Sequence, residues 1–210
     1  MSRWYDWLNM FIGLVVIVNP LLAVSAFTTL SGHENLARRR VTARMAALTV
    51  AVVLSISALA GELVLGFFGI GLPEFQVGGG ILILLMALSM LNARAGPARH
   101  TEEEASEAHE RDQVGVVPLG IPLLAGPGAI STAIIYAHKS RGWLDIVVLL
   151  GEIWLVATLV WLALRLSDGM MRRLGVTGLN IATRIMGLLL AAIAVSIITQ
   201  GLKTLLPGLA

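Results

Sequence analysis

Residues 113–137 carry no charged side chain and are long enough to cross a lipid bilayer, yet three prolines interrupt them. A spanning helix needs roughly 20 mostly apolar residues. The stretch supplies them, but over VVPLGIPLLAGPGAIST (residues 116–132) Pro118, Pro122 and Pro127 alternate with Gly120, Gly126 and Gly128. An interior proline deletes a backbone hydrogen bond and clashes with the carbonyl four residues back, at about 3 kcal/mol or more in an ordinary helix. The stretch therefore predicts a helix broken near Gly126. Unpaired backbone in hydrocarbon survives only where protein encloses it or where it lines a polar cavity. The break is thus the first candidate site.

The rest of the chain sets the class. Of 210 residues, 57% are hydrophobic and 13% charged, with a mean hydropathy of +0.84, against about 25% charged in a soluble domain. An all-α, multi-pass membrane protein follows. The pI near 9.5 reflects Lys and Arg gathered at the ends of apolar runs, a topology signal and not a nucleic-acid surface. Cysteine is absent, which excludes disulfides, Cys-ligated zinc and thiol chemistry.

A first apolar run, Trp7 to Gly32, is interrupted by Asn19-Pro20. Asn favours a helix N-cap and Pro the first helical position, so the dipeptide ends one half-helix and starts another. With a single basic residue, Arg3, ahead of a run this long, it reads as a retained crossing and not as a cleaved leader. Further runs follow at Met45–Leu72, with Glu62 inside, and at Phe75–Ala93, with Gly78-Gly79-Gly80 near its start for close helix packing. Beyond the broken fourth run come Trp143–Leu166, with Glu152 inside, and Ile185–Leu202. Six crossings are expected.

Residues 94–112 hold six carboxylates beside His100 and His109, with Thr101 the only β-branched residue. Such a composition predicts a solvated linker and not a metal site. It divides the chain into a first three-helix unit, residues 1–93, and a second, residues 113–210. The halves echo each other: Asn19-Pro20 and Gly126-Pro127 lie 107 residues apart, and Gly79 and Gly187 lie 108 apart. Three helices per half is an odd number, so the repeats must cross in opposite senses, an inverted-topology arrangement with helices 1 and 4 broken at mid-membrane. Eleven arginines fall on the side of the linker and four basic residues on the other. The positive-inside rule places the linker in the cytoplasm and both termini outside it.

Asn19-Pro20 with Phe27, the run FGIGLPEFQVGGGIL (residues 68–82), PLGIPLLAGPGAIST (residues 118–132) and Arg184-Ile185-Met186-Gly187-Leu188 resemble the MarC family of bacterial and archaeal inner-membrane proteins across nearly the whole chain. The resemblance implies a transporter in the cell inner membrane, with small neutral amino acids such as glycine or alanine as the substrate class. An exporter of drugs or other small molecules is the alternative it leaves open.

The residues themselves suggest how such a site would work. Half-helices starting at Pro20 and Pro127 would present free N–H groups and positive dipole ends near mid-membrane, where anionic groups bind. The carbonyl ends near Val18 and Ala125 suit an ammonium group or cation. Asn19, Pro20, Ala23, Ser25, Gly126, Pro127, Gly128, Ser131 and Thr132 are the candidate substrate-binding residues, and their small size limits the ligand. Plain packing kinks are the competing explanation. Glu62 and Glu152 are candidates for coupling to a proton or sodium ion, as ionisable groups inside spans. No cofactor or metal is expected. The four histidines stand in or beside links and neither HExxH nor GxSxG occurs, which argues against an enzyme. A channel, a non-transporting membrane protein and a homo-oligomer stay open.

Overall fold

A computed structural model of the chain describes residues 3–31, 35–92 and 124–209. The linker 94–112 and the Pro118–Pro122 half of the fourth crossing lie outside the described residues. Within them the chain forms seven α-helices and a terminal 3-10 turn, Pro207–Leu209. The helices are α1 (Arg3–Val18), α2 (Pro20–Leu30), α3 (Leu36–Phe67), α4 (Leu72–Leu91), α5 (Pro127–Lys139), α6 (Trp143–Arg165) and α7 (Ser167–Leu205). Five stretches are long and apolar enough to cross a membrane: Trp4–Thr29 through α1 and α2, α3, α4, α6 and Thr177–Leu205 of α7. At 13 residues, α5 is about 20 Å long and does not span alone.

Helix ends and apolar ends do not coincide. The Asn35 side chain accepts a hydrogen bond from the Arg38 amide at 2.9 Å and caps α3, so Arg38, Arg39, Arg40 and Arg44, which precede the apolar run at Met45, form its first turns. The last crossing likewise starts before Ile185, running helically through Arg184 from Thr177, with Gly175 in the left-handed region (φ 64°) as the joint to the preceding turns. Arg and Lys are good helix formers; their charge sets membrane depth and does not stop the helix. Several hydroxyls on outward faces bond to the carbonyl four residues back, as Thr49 does to Met45 at 2.9 Å and Thr199 to Val195 at 2.8 Å, so that these donors do not face hydrocarbon unpaired.

The tightest packing joins α4 to α7. A Cβ added at Gly80 would stand 3.2 Å from the Ala194 carbonyl and closer still to Ile198, and one at Gly187 would stand 3.2 Å from the Ala87 carbonyl and 3.4 Å from Leu91. The two contacts are reciprocal. Gly80 to Gly187, Ala87 to Ala194 and Leu91 to Ile198 each span 107 residues, the spacing of the two breaks. Gly80, and not Gly79, is thus the α4 glycine whose contact mirrors that of Gly187. Gly79 instead faces α5, where a Cβ would meet Ser131 at 2.8 Å. Around this pair α3 packs on α5 and α6, and α2 packs on α6 and α7.

Both described chain ends lie at one face. Trp7 donates to Asp145 at 3.1 Å there, and Lys139 donates to Gln200 at 2.6 Å. The opposite face holds the α2–α3 connection and the α6–α7 junction, tied by Arg39, which donates to both Asp168 oxygens at 2.8 and 2.9 Å. These are called the terminal face and the linker face below.

Candidate functional site

The first break is one residue wide. Asn19 takes a left-handed conformation, φ 49° and ψ 74°, which asparagine tolerates far better than branched residues do. Its amide still bonds to the Val15 carbonyl at 3.0 Å, and its own carbonyl accepts from Ala23 at 3.3 Å. What changes lies between. Pro20 has no N–H for the Val16 carbonyl, and the Leu22 amide turns to Asn19 Oδ1 at 3.1 Å, leaving Val18 without its helical donor. The break therefore releases carbonyls from α1, while the start of α2 is partly capped by Asn19 itself.

The second break differs. Gly126 precedes α5 in an extended conformation with no side-chain cap, so the first amides after Pro127, those of buried Gly128 and Ala129, begin the helix without a side-chain acceptor among the described residues. The two breaks are complementary in chemistry: the first offers acceptors and the second donors.

One helix spans both. Met90 of α4 accepts a sulfur hydrogen bond from Asn19 Nδ2 at 3.7 Å, and Met86, one turn away, lies with Ile83 against Gly128, each 3.1 Å from where a Cβ would stand. The breaks thus sit within about one helical turn of each other in depth. Asn19, Ala23, Gly126, Gly128, Ser131 and Thr132 are buried here, whereas Pro20 and Ser25 are half-buried and Pro127 is exposed. Ser25 lies on a different side of α2 from Ala23 and Phe27, being two residues from each. Thr132 is occupied locally, donating to the Gly128 carbonyl at 2.9 Å.

Two cavities approach the breaks from opposite faces. One of about 670 Å³ opens on the terminal face among Asp6, Trp7, Asn9, Lys139 and Asp145, and its deep end is Gly13 and Tyr136. The Tyr136 hydroxyl occupies the notch that a Gly13 side chain would fill. The other, about 400 Å³, opens on the linker face and ends at Phe27. Leu14, Val16, Ile17, Val18, Ala23 and Val24, all buried, separate the two. Of the candidate coupling groups, Glu62 is exposed and pairs with His138 at 3.1 Å near the terminal face, an arrangement worth about 0–1 kcal/mol. Glu152 is half-buried on α6 with one carboxylate oxygen, Oε2, buried and unpartnered among the described residues.

A family model described as MarC family integral membrane protein matches residues 4–206. The chain belongs to the MarC family. It is 37% identical over 203 residues to UPF0056 membrane protein YhcE of Escherichia coli (strain K12), covering 97% of this chain and 94% of the relative. It is also 36% identical over 200 residues to a UPF0056 membrane protein of Aquifex aeolicus (strain VF5), covering 93% and 92%. A third relative, UPF0056 membrane protein MJ1677 of Methanocaldococcus jannaschii, is 35% identical over 193 residues, covering 92% and 94%. No solved structure matches. The sequence reading of this MarC chain missed Met86 and Met90, because methionines at helical spacing read as ordinary core. Their only local signal is the four-residue step that puts both on one face of α4.

Proposed function

We propose that the protein is an inner-membrane secondary transporter of small neutral amino acids, such as glycine or alanine, working by alternating access around the two breaks. The carrying observation is the pairing of freed carbonyls at Asn19-Pro20 with uncapped amides at Gly126-Pro127 beside the same two methionines, between cavities on opposite faces. Carbonyls suit an ammonium group and helix amides a carboxylate. With no cation among the buried described residues, none of them balances an acidic side chain, and the small residues Ala23, Gly126, Gly128 and Ser131 suit a small ligand. In proteoliposomes, glycine and alanine should compete with each other for uptake at micromolar to millimolar levels, and leucine, glutamate and lysine should compete poorly. Equal inhibition by leucine and glycine would overturn the substrate class and favour a drug-sized ligand.

Glu152 is our candidate for coupling to a proton or cation, since one of its oxygens is buried with no partner among the described residues and a carboxylate inside a span is costly unless it titrates or binds an ion. In the same vesicles Glu152→Gln should abolish gradient-driven accumulation and keep exchange between equal concentrations. A variant still driven by the gradient excludes this role.

We further infer that residues 113–137 complete a sixth crossing and that the halves form an inverted repeat. The common spacing of 107 residues in the breaks and in the reciprocal α4–α7 contacts supports it. The excess of arginine at the linker face puts that face in the cytoplasm. As the chain lacks cysteine, one introduced at position 105 should react with an impermeant reagent only after cell lysis. Labelling in intact cells would reverse the orientation.

A further inference from the structure

We infer that the arginine-lined cleft on the linker face binds the phosphate group of an anionic phospholipid. The inference is independent of the transport reading. The cleft, about 400 Å³, lies between the start of α3 and the end of α6. Four guanidinium groups line it, Arg39, Arg40, Arg44 and Arg165, against a single carboxylate, Asp168.

That carboxylate is already taken. Arg39 grips both of its oxygens, reaches Ser167 at 3.3 Å, and lies over the Phe27 ring at 5.2 Å. Arg39 is the floor of the cleft and not its ligand group. Arg40 and Arg44 stand one turn apart on α3, where like charges repel. Arg165 faces them from α6, its guanidinium carried over the Trp161 ring at 5.2 Å. Among the described residues no carboxylate pairs with any of these three. Three mutually repelling cations around one cavity are stabilised by an anion, and guanidinium groups match phosphate oxygens two at a time.

The rim identifies the source. Leu36 and Val41 beside the cleft are 68% and 59% exposed, and Trp161 marks the interfacial depth at which aromatic rings settle. A soluble phosphate would leave these apolar groups uncovered, whereas a phospholipid lays its glycerol and acyl chains over them while its phosphate sits among the arginines.

The test uses the full-length protein, stripped of lipid in detergent, with phosphatidylglycerol or phosphatidylcholine added back and bound lipid counted by native mass spectrometry. Phosphatidylglycerol should bind saturably and at least tenfold more tightly than phosphatidylcholine. The triple variant Arg40→Gln, Arg44→Gln, Arg165→Gln should lose that preference, and Arg172→Gln, Arg173→Gln, Arg184→Gln, altered on the same face outside the cleft, should keep it. Equal losses in both triples would show diffuse surface charge and overturn the site. Displacement of the lipid by low-millimolar inorganic phosphate would overturn the lipid as its occupant. Should the first triple fail to fold, the wild-type preference between the two lipids and the phosphate competition still decide: equal affinity for the two lipids refutes the site.

Discussion

Asn19→Gly should weaken substrate uptake about tenfold to a hundredfold while leaving the protein folded in the membrane. Glycine adopts the left-handed backbone of position 19 without steric cost, and replacing an asparagine cap by glycine costs only a few tenths of a kcal/mol. The fold thus keeps its break. What disappears is the buried side-chain amide, whose Nδ2 among the described residues holds a thioether at 3.7 Å, a weak acceptor that a substrate carboxylate lying between this amide and the start of α5 would displace. A hydrogen bond to a charged group contributes about 1.5–3 kcal/mol, and about 1.4 kcal/mol is a factor of ten. Asn19→Leu makes the contrast: a left-handed non-glycine residue costs about 1–2 kcal/mol, so that variant should lose folded protein as well. Concentration-dependent uptake by Asn19→Gly measures the effect. Wild-type kinetics would reduce Asn19 to a helix cap and the break to a packing kink.

The largest effect on stability should come from Gly201→Val and Gly80→Val, which should each lower the thermal midpoint in detergent sharply or abolish recovery of folded protein. A Cβ at Gly201 would stand 2.6 Å from the Pro73 carbonyl. That obstacle is backbone, which cannot turn aside as a side chain does. Overpacking typically costs about 1–3 kcal/mol even where side chains adjust, and here α4 must move off α7. Gly78→Val, two residues before Gly80 on the same helix, meets nothing within 4 Å and should be tolerated. Gly151→Ala on α6, also in open space, should gain up to about 1 kcal/mol from helix propensity. Equal midpoints for Gly78→Val and Gly80→Val would mean that α4 and α7 do not meet in this register.

Local chemistry made the starts of α2 and α5 legible in the sequence: a proline favours the first position of a helix, and the two helices begin at Pro20 and Pro127. The membrane class was equally plain. The starts of α3 and of the last crossing were not, because the arginines lie outside the apolar runs, and a charged residue lowers the hydropathy of a segment without lowering its helicity. The bond from Arg39 to Asp168 joins residues 129 apart, and no local pattern announces it. Glu62 and Glu152 looked alike as intramembrane carboxylates. Only tertiary packing separates them, giving one an exposed histidine partner and leaving one oxygen of the other buried without a partner among the described residues.

The reciprocal glycine notches between α4 and α7 limit how these helices move. Sliding either one along its axis would drive Ile198 or Met90 out of its notch and against side chains one turn away, Gln76 or Leu84 on α4 and Thr183 or Ala191 on α7. Two rods meshed in that way do not shear; they turn about the meshing point. Since α4 also carries Met90 against Asn19 and Met86 against Gly128, turning α4 about this point would shift both methionines together.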